Sequence, residues 1–254
     1  KKRLQDMNTA TNISALNHRF RGIRALYGDL DFNKFIQSHV CIYGCGGVGS
    51  WAVEAIARTA IGHITLIDND VVEESNVNRQ NPALESNMGK LKAGALADRL
   101  RDINPFVQVE VITTRLTVDN FEAVIPWDAD IFIDAIDDLP VKAAIANFAC
   151  RQKKKLISAG GSGGKTDPRL VHLCDLTEVT HDRLLKRLRD TLKREYNLGK
   201  NGKKIGLPVV SCAQQVVMSN KEQDDVPAFG AGMCVTATVG LGLAAWAVDQ
   251  LRKK

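Results

Sequence analysis

Apolar and polar positions fall into blocks whose period changes along the chain. Residues 38–43 form a short apolar run that stops at a Gly-rich turn, the pattern of a buried strand. Residues 48–60 then read as a helix, and His63–Ile67 as a second strand. Residues 88–103 repeat apolar positions with helical period, and Pro105 lies just beyond their end. Residues 107–113 alternate like a strand, 131–136 form another buried strand, and 141–153 a helix. Leu156–Ala159 is one more strand, running into Gly160-Gly161-Ser162-Gly163-Gly164. This rhythm predicts a mostly parallel sheet covered on both faces.

The pattern changes after Gly164. Residues 169–174 read as a strand, 180–197 as a helix rich in Arg and Lys, and 201–204 as a basic turn. Residues 207–218 are mixed and apolar, a further strand, and 220–227 are a polar loop. The first 17 residues are polar and expected to be loosely held. No internal repeat is present.

Composition narrows the class. The 254 residues are 44% hydrophobic and 25% charged, with a formal charge of +5, as in an ordinary globular protein with a sizeable core. The six cysteines include no Cys-x-x-Cys pair, which argues against a zinc knuckle, and their spacing is not that of a secreted disulfide framework. A reducing, cytoplasmic setting is the expectation. Residues 228–248 carry no charge and are long enough to span a bilayer. Their Gly, Ala and Thr content favours a buried core helix over membrane contact.

Candidate chemistry begins at Gly44-Cys45-Gly46-Gly47-Val48-Gly49, which follows a strand and opens a helix. Glycines there permit a sharp turn and let backbone N–H groups approach phosphates. Asp68 ends the next strand, at the spacing suited to ribose hydroxyls. These features predict an α/β, Rossmann-like doubly wound fold. Its nucleotide-binding core spans residues 18–165, and a smaller C-terminal α+β extension spans 166–254, with a basic helix and a terminal apolar helix. The loop alone does not separate ATP from NAD.

The next stretch does more. It reads Asp68-Asn69-Asp70-Val71-Val72-Glu73-Glu74-Ser75-Asn76-Val77-Asn78-Arg79-Gln80, followed by Met88-Gly89-Lys90-Leu91-Lys92. So many polar and cationic groups suit an enzyme that cleaves ATP between its α and β phosphates and must neutralise the departing pyrophosphate. With Asp134-Ala135-Ile136-Asp137-Asp138, these motifs resemble the ubiquitin-activating-enzyme superfamily, which includes bacterial adenylyltransferases that activate sulfur-carrier proteins. The entry segment His18-Arg19-Phe20-Arg21-Gly22-Ile23-Arg24, the run Ser50-Trp51-Ala52-Val53-Glu54-Ala55 and the turn at 160–164 are most similar to the tRNA threonylcarbamoyladenosine dehydratases.

The resemblance implies ATP and Mg2+, and leaves a monovalent cation open. It implies that Gly44, Gly46, Gly47 and Gly49 shape the nucleotide loop and that Asp68 holds the ribose. Asn76 and Arg79 face the phosphates with Gln80 in support, Lys92 reaches the α and β phosphates, and Asp137 holds Mg2+ with Asp70 nearby. It further implies a homodimer in which an N-terminal arginine reaches the partner's ATP site, Arg21 being preferred to Arg19 and Arg24. Simpler readings stand beside these: Lys92 as a solvated lysine, Arg79 capping its loop or paired with Glu73 or Glu74, and Asp137 or Asp138 as a helix cap. Cys212 and Cys234 are candidate thiols or merely small buried hydrophobes.

Basic residues concentrate toward the C-terminal third, at 151–155, 183–194 and 200–204. They predict a polyanionic partner, and the resemblance makes it tRNA bearing threonylcarbamoyladenosine, dehydrated through a carboxyl adenylate. The rival reading is an adenylyltransferase acting on the C-terminus of a small sulfur-carrier protein, with that carrier or a sulfur-relay protein as partner.

Overall fold

The computed structural model describes residues 10–218 and 230–253. Two helices, α1 (Ala10–Arg19) and α2 (Arg21–Gln37), precede the sheet. Gly28 in α2 has φ 80 and ψ 167, outside helical values, and the helix kinks there. The chain continues through β1 (His39–Tyr43), α3 (Gly49–Ala57), β2 (His63–Ile67), α4 (Lys92–Ile103), β3 (Gln108–Ile112), the short α5 (Phe121–Val124), β4 (Ile131–Asp134), α6 (Leu139–Arg151) and β5 (Leu156–Ala159). Then follow β6 (Val171–Asp175), α7 (Arg183–Arg194), β7 (Pro208–Cys212) and α8 (Met233–Arg252).

All seven strands join one sheet in the order β3-β2-β1-β4-β5-β7-β6. Neighbours run parallel except β6 and β7, which pair antiparallel. Successive side chains of a strand face opposite ways, and the core divides accordingly. Val40 and Ile42 of β1 pack with α3, α4 and α8, whereas Cys41 and Tyr43 pack with α6 and α7. The result is the expected α/β sheet covered on both faces. The segment 166–254 adds β6 and β7 to this same sheet and α8 to one of its faces.

Three local expectations need correction. The helix expected from residue 88 starts at Lys92, because the backbone before it is already paired. Gly89 N donates to Val72 O, Val72 N to Lys90 O, and Val71 bridges Leu91. The N-terminal stretch expected to be loose contains α1, whose Leu16 is buried against Phe20, Phe32 and Ala60. The strand expected over 207–218 spans Pro208–Cys212 and stops where its antiparallel partner β6 begins, Cys212 pairing with Val171. The polar loop expected at 220–227 lies outside the described residues.

Helix α8 is long and apolar enough to cross a membrane, but 56% of its apolar window is buried within the protein. Val235, Val239, Leu243, Ala247 and Leu251 sit in the core, as expected of a core helix. Helix α7 buries Leu185, Leu188 and Leu192 at helical spacing and turns its charged residues outward, which is why the sequence there is strongly cationic yet folded.

Candidate active site

The loops leaving the C-terminal ends of β1, β2, β4 and β5 enclose a cleft of about 750 Å³. Clefts at this end of an open parallel sheet are where such folds bind ligands. The first loop is held by close backbone contacts. Gly44 has φ 86, and a Cβ there would lie 2.7 Å from the backbone of Ala135. A Cβ at Gly49 would lie 1.8 Å from Gly44 O, so only glycine permits this turn. Gly46 faces open space, and Gly47 lies against the Arg79 side chain.

Asp68 stands beside the loop. Its Oδ2 accepts from Cys45 N at 2.6 Å and its Oδ1 from Asp70 N at 2.8 Å. Burial raises its pKa above the ordinary carboxylate value despite these backbone donors. Asp70 in turn receives Lys92: Nζ lies 3.0 Å from Oδ2, with the lysine side chain 8% exposed. Lys92 is therefore a buried, directed cation and not a solvated surface lysine.

Arg79 donates from Nη1 to Ser75 O at 2.9 Å and to Asn78 Oδ1 at 2.8 Å, while its own carbonyl accepts from Trp51 Nε1 at 2.9 Å. These bonds, not an ion pair with Glu73 or Glu74, fix its place along the first loop. Asn76 is buried and closes a reciprocal capping box with Glu73. Gln80 is buried too, and its Oε1 has no hydrogen-bond partner among the described residues.

On the far side of the loop Asp137 is exposed, whereas Asp138 caps α6 by accepting from Val141 N. Beneath them lies a fully buried ion pair. Lys142 Nζ is 2.9 Å from Asp134 Oδ2, and both side chains are 0% exposed. Lys142 also donates to Ile136 O at 2.9 Å, and Ser158 Oγ to Asp134 Oδ2 at 2.7 Å. The segment carrying Asp137 is thus tied down from below.

The cleft brings together Gly44, Gly46, Gly47, Asp68, Asp70, Asn76, Arg79, Gln80, Lys92 and Asp137. Gly49 does not line it; its role is the close approach to Gly44. Arg21 is exposed at the start of α2 and lies outside this cleft. Sequence reasoning missed Arg115, which lines the cleft after β3 and approaches Asp138 at 3.9 Å. Its place just beyond a parallel strand was the available signal. It also missed Trp51, Lys142 and Ser162.

No group of three or more His, Cys, Asp or Glu able to hold a metal exists among the described residues. Mg2+ is commonly bound by one or two carboxylates together with substrate phosphates and water. Asp137 provides such a carboxylate, and the unpartnered Gln80 Oε1 leaves an acceptor for a ligand.

Known proteins are similar to this chain over nearly its whole length. The Escherichia coli tRNA threonylcarbamoyladenosine dehydratase is 38% identical over 94% of this chain and 96% of its own. The Haemophilus influenzae enzyme of the same name is 36% identical over 95% and 96%. The solved E. coli tRNA N6-threonylcarbamoyladenosine dehydratase in complex with ATP superposes with a TM-score of 0.87, at 37% identity and 96% coverage of both chains. The family model for ThiF matches residues 18–254, so the loops that build the cleft and the strands and helix after them are those of a ThiF family member, and this chain belongs to that family.

Proposed function

We propose that this protein is an ATP-dependent enzyme that dehydrates and cyclises N6-threonylcarbamoyladenosine in tRNA. The observation that carries the reading is the convergence, in one cleft, of a glycine loop, Asp68 just after β2, the buried Lys92–Asp70 pair, Arg79 and Asp137. Two cations and two further carboxylates beside the glycine loop exceed what holding a dinucleotide pyrophosphate requires, and they suit cleavage of ATP between its α and β phosphates. The similarity to the dehydratases over nearly the whole of both chains supports the same substrate.

The chemistry follows from the substrate. Its threonine part bears a carboxylate, which is inert to cyclisation because hydroxide leaves poorly. Attack of the carboxylate on the α phosphate of ATP forms an acyl adenylate and releases pyrophosphate. The ureido group of the same side chain then closes a five-membered ring and expels AMP. This second step is intramolecular, so its rate depends mainly on holding the side chain in place and keeping water out.

In this scheme Asp68 holds the ribose, Lys92 and Arg79 stabilise charge on the phosphates, and the Lys142–Asp134 pair holds the Asp137 segment still. Asp137 would hold Mg2+, which neutralises phosphate charge when bound. Arg21 lies outside its own cleft, and in a homodimer it would serve the second copy. The localisation that fits is cytoplasmic.

The test is to incubate the protein with ATP, Mg2+ and tRNA bearing threonylcarbamoyladenosine, then weigh the nucleoside. Loss of one water with release of AMP is expected. An unchanged nucleoside, with pyrophosphate exchange only on adding a sulfur-carrier protein, would establish the rival adenylyltransferase.

A further inference from the structure

The cleft has a second end, at β5. Along the sheet, the ribose-side Asp68 follows β2, the glycine loop follows β1 and Asp137 follows β4. The next strand, β5, ends in Gly160-Gly161-Ser162-Gly163, and this segment lines the same cleft together with Leu184 and Thr236. With the nucleotide laid from β2 to β4, the β5 side is left for the acceptor that attacks the α phosphate.

That wall is rigidly built. Asp182, the N-cap of α7, is buried and accepts from Gly161 N at 3.0 Å, Ser211 Oγ at 2.9 Å and Leu185 N at 3.0 Å. A Cβ at Gly160 would lie 2.3 Å from its Oδ2, so the glycine lets the loop sit directly on the carboxylate. Lys165, also buried, donates to Cys212 O at 2.6 Å and stands 3.8 Å from Asp182. Every polar group of this support is satisfied except one. Ser162 is 8% exposed, and its Oγ has no hydrogen-bond partner among the described residues. A buried orphan hydroxyl costs free energy unless a ligand completes it.

The wall also continues outward. Leu184 lines the cleft, and Arg187 lies three residues on, on the same face of α7. Lys186 and Arg187 are exposed and form no ion pair among the described residues. A cationic face that begins at the rim of the cleft suits an RNA backbone whose modified base has been drawn inward.

We propose that the β5 end of the cleft is the acceptor subsite, in which Ser162 Oγ donates to the carboxylate-bearing side chain of the modified adenosine while Lys186 and Arg187 hold the flanking phosphates. This rests on the function proposed above and assigns its second substrate a place.

The experiment uses the full chain, with steady-state turnover on tRNA bearing threonylcarbamoyladenosine and direct binding of ATP. Ser162→Ala raises KM for the tRNA about tenfold, the loss of one hydrogen bond to a charged group, and leaves ATP affinity at the wild-type value. Lys186→Ala with Arg187→Ala flattens the salt dependence of tRNA binding by about two in slope. An unchanged KM in Ser162→Ala overturns the subsite, as does an equal weakening of ATP binding. An unchanged salt slope removes the two cations from it. Wild-type protein that fails to turn over the tRNA overturns the proposed function and the subsite together, whereas normal wild-type turnover with an indifferent Ser162→Ala overturns the subsite alone.

Discussion

Lys92 and Asp70 are joined twice: Lys92 N donates to Asp70 O at 2.9 Å, and Lys92 Nζ lies 3.0 Å from Asp70 Oδ2. The backbone bond sets the first residue of α4 against the loop after β2, and the side-chain pair aims the ammonium along the cleft. Lys92→Ala is expected to slow AMP formation about a thousandfold, the upper range for removing one preorganised group that meets developing charge. Asp70→Ala keeps the ammonium and only loosens its direction, so about a tenfold loss is expected. Single-turnover release of AMP measures both, and equal losses would contradict this division of roles.

Asp137 tests a different link. It is exposed, so Asp137→Ala changes stability by no more than about 0.5 kcal/mol. AMP formation should nevertheless be abolished, and raising Mg2+ should not restore it. A thermal melt together with AMP release over a Mg2+ titration decides the matter; a variant that keeps wild-type Mg2+ dependence rules out a metal-binding role.

The Lys142–Asp134 pair predicts the reverse pattern. Neither side chain is exposed. Removing one partner leaves a buried charge alone, so Lys142→Met should cost about 3–5 kcal/mol in urea unfolding. Lys142→Met combined with Asp134→Asn removes both charges and should recover much of that loss. If the double variant is as unstable as the sum of the singles, the cost arises from packing and not from the unpaired charge.

A pH effect comes from the other end of the sheet. His39 and His63, paired in register on β1 and β2, stack with ring centroids 3.6 Å apart. Burial, and then His63, push the His39 pKa from 6.5 down to about 4, against the opposing pull of Asp128, Glu110 and Asp130. The unfolded chain binds this proton near pH 6.5 and the folded protein only near 4. Stability is therefore undiminished above the upper value and declines as pH falls toward the lower one. His39→Gln should flatten that decline, measured as the urea midpoint at about pH 7 and about pH 5.

Much of this molecule is legible in the chain. His63–Ile67 and Leu156–Ala159 are strands with the bounds their apolar runs predict. Each is short and buried beyond its first residue, Thr65 and Ser158 included, because both faces of the sheet are covered. The cleft residues were legible because glycine spacing and polar runs at strand ends are local signals. The start of α4 was not, since the helical period of residues 88–91 is overridden by pairing with residues 71 and 72, which sequence periodicity cannot register. Nor was the buried Lys142. Nothing local distinguishes it from a surface lysine, and only the docking of α6 over β4 brings it to Asp134. Ser162 stood within a recognised glycine turn, but its lack of a partner is a property of the folded wall alone.

Gly240 in α8 has a consequence for synthesis. A Cβ there would lie 2.4 Å from Val48 O and 2.9 Å from Ala52 N, so this helix rests directly on the first turn of the helix that follows the nucleotide loop. Nearly two hundred residues separate the two segments. A ribosome-bound chain that has emerged only as far as β5 already carries the whole glycine motif but lacks the surface that braces it. A chain truncated before α8 is accordingly expected to capture nucleotide poorly, even though Gly44, Asp68, Lys92 and Asp137, which line the cleft, have all been made.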